Sequence, residues 1–105
     1  MQVQINPGPD ITVSEALADH LRKRLATIDE RFGDRLTRIE AYFADVNGPK
    51  GGEENKQCKL EARPRGLDPV AAEALDESAY DAVNTAVERL EKVLDKRFGK
   101  LEDRH

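Results

Sequence analysis

The sequence predicts an α+β fold, in which a four-stranded mixed sheet carries two helices on one face in the order β-α-β-β-β-α. Two stretches, residues 17–32 and 80–101, place apolar side chains three or four positions apart, as amphipathic helices do. Four other stretches alternate apolar and polar residues, as half-buried strands do. Only turns separate the last three strands, so these should form an antiparallel meander.

The first strand and the first helix are delimited by turn and capping residues. Residues 1–5 alternate apolar side chains with glutamine, and the prolines and glycine of residues 6–10 end that strand. Thr12 and Ser14 compete as the N-cap of the helix, Thr12 through a capping box with Glu15. The apolar positions of this helix are Leu17, Leu21, Leu25, Ile28 and Phe32, and Gly33 follows them.

The three strands of the meander return to a period of two. Residues 47–55, which are rich in glycine, are expected to form a long hairpin loop between strands two and three. The fourth strand contains Val70, Ala72 and Ala74, although Ala71 and Leu75 leave its inner face undecided. The inner face should carry Ile39, Ala41 and Phe43 from strand two and Cys58, Leu60 and Ala62 from strand three.

The second helix is expected to begin near Asp76 or Ser78. The tripeptide Arg-Phe-Gly closes both helical patterns, at residues 31–33 and 97–99, and is interpreted as a shared stop signal. The apolar stripe of the second helix, which should face the sheet, consists of Tyr80, Val83, Val87, Leu90, Leu94, Phe98 and Leu101.

Because the first helix is long enough for a right-handed crossover, strands one and two should lie parallel and adjacent.

Length and composition set limits on function. The 105 residues fit a single domain over 1–105, with 38% hydrophobic and 36% charged residues. No apolar run is long enough for a membrane span, and the first residues lack the pattern of a secretory signal, so a cytoplasmic protein is expected. The net charge of -4 argues mildly against a nucleic-acid partner, but charge can gather on one face.

Charge does gather on one flank of the second helix. Arg89, Lys92, Lys96 and Lys100 recur three or four residues apart and form what is here called the basic ridge. Asp81, Glu88, Glu91, Asp95 and Glu102 line the other flank. A basic ridge suits the phosphates of RNA, because each cation that neutralises a phosphate releases counterions. Charged stripes are commonly just solvated helix faces, so the pattern leaves both interpretations open.

The first helix offers a weaker positive surface. Its basic residues are His20, Arg22, Lys23, Arg24 and Arg31, with Asp19, Asp29 and Glu30 among them. They could form the second wall of a basic groove, or a solvated face of mixed charge.

No catalytic, metal or cofactor site is predicted. The loop around Lys50 lacks the P-loop spacing, and an EF-hand register fails because lysine stands at the required glutamate. Cys58 alternates with apolar residues and is expected to be buried and inert. Tyr42 and Phe43 should point to opposite faces of the sheet, which leaves no aromatic pair for base stacking. An enzyme is therefore not expected, and no small-molecule substrate, membrane partner or oligomeric state is indicated.

Two stretches resemble the ribosome hibernation-promoting factors, also called ribosome-associated inhibitor or sigma modulation proteins. Residues 14–25, Ser-Glu-Ala-Leu-Ala-Asp-His-Leu-Arg-Lys-Arg-Leu, are similar to the first helix of that family. Residues 79–83 and 87–96 are similar to the second helix, with its aromatic start and charged centre. The segment 45–63 looks like that of a divergent, single-domain branch, and the likeness spans nearly the whole chain.

The resemblance implies a non-enzymatic regulator of translation that binds the small ribosomal subunit and holds ribosomes inactive under stress. The positions that match RNA-contacting residues of the family are Arg24, Arg89, Lys92 and Lys96, and the fold is similar to that of double-stranded RNA-binding domains. Ala18, Thr27, Glu30 and Asp95 stand where better-known members carry basic residues. The alternative is a protein-interaction or stress-associated module that has lost tight RNA binding.

Overall fold

The computed structural model describes residues 1–46 and 56–102, with side chains up to residue 99. The predicted order of elements is confirmed. The strands are β1 (Gln2–Pro7), β2 (Leu36–Asp45), β3 (Lys56–Pro64) and β4 (Val70–Asp76), and the helices are α1 (Glu15–Phe32) and α2 (Ala79–Glu102). A short 3₁₀ turn, Gly33–Arg35, joins α1 to β2. The loop predicted at 47–55 lies outside the described residues.

The sheet has the strand order β1-β2-β3-β4, with β1 parallel to β2 and the other neighbours antiparallel. This is the predicted topology. Val3 lies opposite Ile39 and Ile5 opposite Ala41, so the apolar residues of the first two strands share one face. β1 extends two residues beyond its predicted end, to Pro7, and the Gly8 N–H then donates to the Phe43 carbonyl at 2.8 Å.

Local hydrogen bonds explain where the helices begin. Ser14, rather than Thr12, caps α1, because its hydroxyl accepts a hydrogen bond from the Leu17 N–H at 3.1 Å. Ser78 acts in the same way at the start of α2, where its hydroxyl accepts from the Tyr80 N–H at 3.2 Å. Both caps satisfy amide groups that have no partner within the first helical turn.

The expectation that Arg-Phe-Gly stops both helices is wrong for the second one. α2 continues through Gly99 to Glu102. A glycine ends a helix by adopting the left-handed conformation, and in the described residues only Gly66 has a positive φ. Even Gly33 keeps a right-handed φ of -53°, and α1 passes directly into the 3₁₀ turn. Gly99 is therefore an ordinary helical residue, at a cost of about 1 kcal/mol relative to alanine.

One core lies between the sheet and the two helices. α1 contributes its entire predicted stripe, and the strands contribute Leu36 together with all six predicted inner residues of β2 and β3. Ala74 settles the inner face of β4, and Leu75 is exposed on the other face. From α2 the buried residues are Ala82, Val83, Ala86, Val87, Leu90, Leu94 and Phe98.

Tyr80 does not belong to the buried stripe, contrary to the sequence prediction. Its side chain is 40% exposed and packs edge-on against His20 of α1, with ring centroids 5.2 Å apart. Ala82 and Ala86 are buried in its place. α2 thus turns these small side chains toward the core, which allows the helix to lie close to β3 and β4, and the tyrosine falls at the margin of the helix pair.

Neither helix, within the described residues, combines the length and the apolar character that a membrane-spanning segment requires.

The orientation of α2 can be tested by substitution of Leu90, which is fully buried. Leu90→Ala should lower the free energy of unfolding by about 2–5 kcal/mol, through lost burial and a residual cavity. Lys92 lies on the exposed side of the same helix. Lys92→Ala is therefore the matched control and should leave the free energy of unfolding nearly unchanged. Urea denaturation of both variants measures the difference. A loss below about 0.5 kcal/mol for Leu90→Ala would contradict this orientation of the helix.

Candidate nucleic-acid interface

The basic ridge lies on the outward side of α2, toward the β4 edge of the sheet. Arg89, Lys92 and Lys96 are exposed, and Lys100 is in the helix with its side chain outside the described residues. The Arg89 guanidinium donates a hydrogen bond to the carbonyl of Glu73 in β4, at 2.8 Å. That bond shows that Arg89 lies on the side of α2 that faces β4. The three described cations therefore project into solvent along one side of a rigid helix.

The acidic flank of α2 has a different environment, because it faces α1 across the groove between the helices. Arg31 of α1 donates to Glu91 at 3.0 Å and also binds the carboxylate of Asp95. Arg24 lies 3.9 Å from a carboxylate oxygen of Glu88. Three carboxylates of α2 are thus paired with two arginines of α1, and the predicted second wall of a basic groove is largely neutralised.

The two groove arginines are held with unequal strength. Hydrogen bonds to Asp95 and then Glu91 raise the pKa of Arg31 above its ordinary value, so it remains fully charged. Arg24 has only the longer contact with Glu88, and its buried Nε finds no hydrogen-bond partner in the described part of the chain. Arg24 is therefore the groove arginine that can more easily exchange its carboxylate for another anion.

The opposite face of the sheet carries a network of ion pairs. Glu40 is only 7% exposed and accepts a hydrogen bond from Arg63 at 3.2 Å, while Arg63 also binds Glu61 at 2.6 Å. Tyr42 is exposed on this face and Phe43 is buried on the other, as predicted. Partial burial, and then Glu40, raise the pKa of Tyr42. Both arginines of β2 and β3 on this face, Arg38 and Arg63, are engaged by carboxylates, which makes them poorer partners for phosphate than the cations of the ridge.

Two further arginines, which the sequence analysis did not single out, meet at the end of the helix pair. The Arg35 guanidinium lies over the ring of Phe98, 4.0 Å from the centroid. Arg65, in the turn between β3 and β4, donates from Nε to the carbonyl of Asp34 at 3.2 Å. No periodicity connects these positions, and only the folded chain brings them together.

The structure also locates the residues for which catalysis or metal binding was considered. Cys58 is fully buried in the core, where desolvation raises the pKa of its thiol from 9.0 to about 12. His20 hydrogen-bonds Asn84 of α2 at 2.8 Å and thereby links the two helices. Within residues 1–46 and 56–99, no group of three or more histidine, cysteine or acidic side chains is arranged to hold a metal ion.

Comparison with known proteins adds independent information. A family model described as sigma 54 modulation protein / S30EA ribosomal protein matches residues 5–102, which confirms the resemblance drawn from the two helices. No curated protein sequence matches the chain.

Solved structures share the fold. A ribosomal subunit interface protein from Coxiella burnetii is 20% identical, with a TM-score of 0.75 over 94% of this chain and 99% of that one. The N-terminal domain of Protein Y from Thermus thermophilus is 26% identical, with a TM-score of 0.73 over 93% and 99%.

The burial of Cys58 predicts an unreactive thiol. A thiol reagent at pH 8 should label the folded protein at least about a hundredfold more slowly than the urea-unfolded chain, because labelling requires opening of the core. Labelling at the rate of the unfolded chain would show that Cys58 is accessible. Above pH 9 the thiol ionises in the unfolded chain, whereas in the folded protein it resists ionisation up to about pH 12. Ionisation therefore favours the unfolded chain, and the free energy of unfolding declines as the pH rises over that range. A Cys58→Ala variant should lack that part of the alkaline loss.

Proposed function

Because the chain belongs to the sigma 54 modulation protein / S30EA ribosomal protein family, we propose that it binds the small ribosomal subunit through its basic ridge. In this proposal the bound protein holds ribosomes inactive under stress. The family is ribosome-associated and non-enzymatic, in agreement with the prediction that this chain is not an enzyme.

The observation that carries the proposal is the separation of charge across α2. Glu88, Glu91 and Asp95 form ion pairs with arginines of α1, whereas Arg89, Lys92 and Lys96 are exposed and take part in none of these cross-helix pairs. An anion that approaches the ridge therefore meets three cations whose neighbouring acids are already paired. Beyond about 8 Å at physiological salt, the other negative charges of the chain are largely screened. A net charge of -4 is thus compatible with local attraction of RNA.

Arg24 is proposed to assist from α1. Its 3.9 Å ion pair with Glu88 is exposed enough to be worth little, so exchange of that carboxylate for a phosphate costs little. The contact would be made mainly to the RNA backbone, since the deep, narrow major groove of RNA helices hides base edges from side chains. Shape and charge, rather than sequence, would select the binding site.

The acidic flank of α2 would fit the alternative, a module for protein interaction. Three residues of that flank, Glu88, Glu91 and Asp95, are paired with Arg24 and Arg31 across the groove between the helices. Pairing of these carboxylates weakens the argument for a protein partner, and RNA binding through the ridge is the better-supported function.

Charge reversal on the ridge tests the proposal. The triple variant Arg89→Glu, Lys92→Glu and Lys96→Glu should lose binding to purified small ribosomal subunits and any inhibition of cell-free translation, because it removes phosphate contacts and reverses the local field. Its circular dichroism spectrum should remain that of the wild type, since all three side chains are exposed. Co-sedimentation at near-physiological salt gives the binding.

A matched pair of single variants separates the ridge from overall charge. Lys92→Glu and Lys59→Glu make the same change in net charge, and both lysines are exposed, but Lys59 lies on the face of the sheet opposite the helices. Only Lys92→Glu should weaken binding strongly. Equal effects, or unchanged ribosome association in the triple variant, would exclude the ridge as the RNA-binding surface.

The groove carboxylates should limit affinity, and their removal should increase it. Glu91→Gln with Asp95→Asn releases Arg31 for a phosphate, which should raise affinity about fivefold at 0.15 M salt and steepen the log–log salt slope by about 0.9. The control variant, Asp10→Asn with Asp68→Asn, removes two exposed negative charges outside the cross-helix ion pairs. An equal gain in the control would mean that Arg31 itself makes no contact.

A further inference from the structure

The sheet face opposite the helices, here called the outer face, has two unlike halves. Toward the start of β2, a network of ion pairs joins Arg38 and Arg63 to Glu40 and Glu61. The charged groups of that half therefore satisfy one another within a single copy of the chain. The half toward the end of β2 has fewer charges and offers a partner more apolar surface.

Large apolar side chains are exposed in this second half. Tyr42 in β2 is 38% exposed, and Leu75 in β4 is 46% exposed. Val46 is 48% exposed and directly follows β2. These are three of the four large hydrophobic residues that are exposed in the described part of the chain, and the fourth, Tyr80, packs on His20. Exposed apolar side chains that gather on one face are typical of a surface that another molecule covers.

Lys59 and Glu73 are the charged residues of this half. They lie opposite each other in the neighbouring strands β3 and β4, and both are exposed. Within the described residues Lys59 forms no ion pair, and the Glu73 carboxylate accepts a hydrogen bond from the neutral amide of Gln57 at 3.0 Å. The two residues thus present opposite charges side by side without an ion pair between them. Such a surface is complementary to a second copy of itself.

A hollow at this point fits a lysine side chain from outside. Its volume is about 190 Å³, and it is lined by Lys59, Ala71, Ala72 and Glu73. The two alanines contribute apolar surface, and the Glu73 carboxylate contributes negative charge. A lysine suits this combination, because its methylene stem can lie on apolar surface while its amine reaches a carboxylate. Lys59 of a second copy is such a lysine.

We propose that two copies of the chain associate through their outer faces. A two-fold axis that is parallel to the strands and lies between β3 and β4 sets Lys59 of each copy opposite Glu73 of the other. The same axis sets Leu75 opposite Gln57 and leaves Tyr42 at the margin of the contact. Sheets that pack face to face are about 10 Å apart, and side chains of this size fill that gap from both sides.

The charge of the outer face permits this association. The chain as a whole carries a net charge of -4. On β2, β3 and β4, however, the outer face carries three cations and three carboxylates, namely Arg38, Lys59, Arg63, Glu40, Glu61 and Glu73. Two copies that approach through this face therefore meet no excess of like charge.

The area of the face indicates how strong the dimer is. Three strands about 4.8 Å apart, over about six residues of about 3.3 Å each, give a footprint of about 300 Å² per copy. A stable complex buries about 800 Å² per partner, so this dimer should be weak and reversible. The inference does not depend on the proposed function, because the outer face and α2 lie on opposite sides of the sheet. At the low concentrations of ribosome-binding assays the chain is a monomer, so Lys59→Glu remains a valid control there.

Sedimentation equilibrium between about 10 µM and about 1 mM tests the dimer. The average mass of the wild type should rise with concentration toward that of two chains. Lys59→Glu and Glu73→Lys should each remain monomeric, because each variant sets like charges opposite each other across the two-fold axis. A mixture of these two variants should dimerise again, since both contacts of the mixed dimer then join a lysine to a glutamate.

Controls separate the contact from net charge and from loss of the fold. Lys92→Glu makes the same change in charge as Lys59→Glu but lies on α2, so it should dimerise like the wild type. Leu75→Ser should weaken association about tenfold, through loss of apolar burial. Circular dichroism of each variant should match the wild type, because the replaced side chains are exposed.

Three results would overturn the proposal. The first is a wild type that is still monomeric at about 1 mM. The second is a Lys92→Glu variant that loses the dimer as fully as Lys59→Glu does. The third is a mixture of Lys59→Glu and Glu73→Lys that stays monomeric. If net charge alone governed association, Glu73→Lys would dimerise better than the wild type, because it makes the chain less negative.

Discussion

The rotation of α2 about its own axis is the constraint on which the rest of the surface depends. Val83, Val87, Leu90 and Leu94 are buried against the sheet, and this fixes the rotation of the helix. Rotation of α2 by 100° about its axis, the angle between successive residues, would expose this apolar stripe. With the stripe fixed, the acidic flank must face α1 and the basic ridge must face the β4 edge. The distribution of charge on the surface is therefore a consequence of apolar packing and not of the ion pairs themselves.

That arrangement reconciles an acidic chain with a basic surface. The ion pairs of Arg31 with Glu91 and Asp95 are partly exposed, so they contribute little to stability. Their effect is on the electrostatic field around α2. Carboxylates that are paired with arginines across the groove repel an approaching anion less than free carboxylates would, so the ridge attracts the anion more strongly. The same pairs make Arg24 and Arg31 unequal, because two carboxylates hold Arg31 whereas one distant carboxylate holds Arg24.

Features that depend on a repeating pattern could be predicted from sequence, and features that depend on one tertiary contact could not. The stripe of α1, the four strands and their order follow from periodicity and turn residues. Tyr80 fell outside the buried stripe because the position of α2 over the sheet, and the neighbouring His20, decide its exposure. Gly99 did not end α2, since a glycine stops a helix only where the chain turns away.

The candidate site shows the same division on a larger scale. The spacing of Arg89, Lys92 and Lys96 predicted a ridge, but which cations are neutralised depends on partners sixty or more residues away, as for Arg31. Arg35 and Arg65 belong to different elements, and a hydrogen bond from the Arg65 N–H to the Arg35 carbonyl joins the two turns that carry them. Sequence patterns thus locate the cations along α2. Tertiary structure decides which cations of the whole surface a phosphate can reach without displacing a carboxylate.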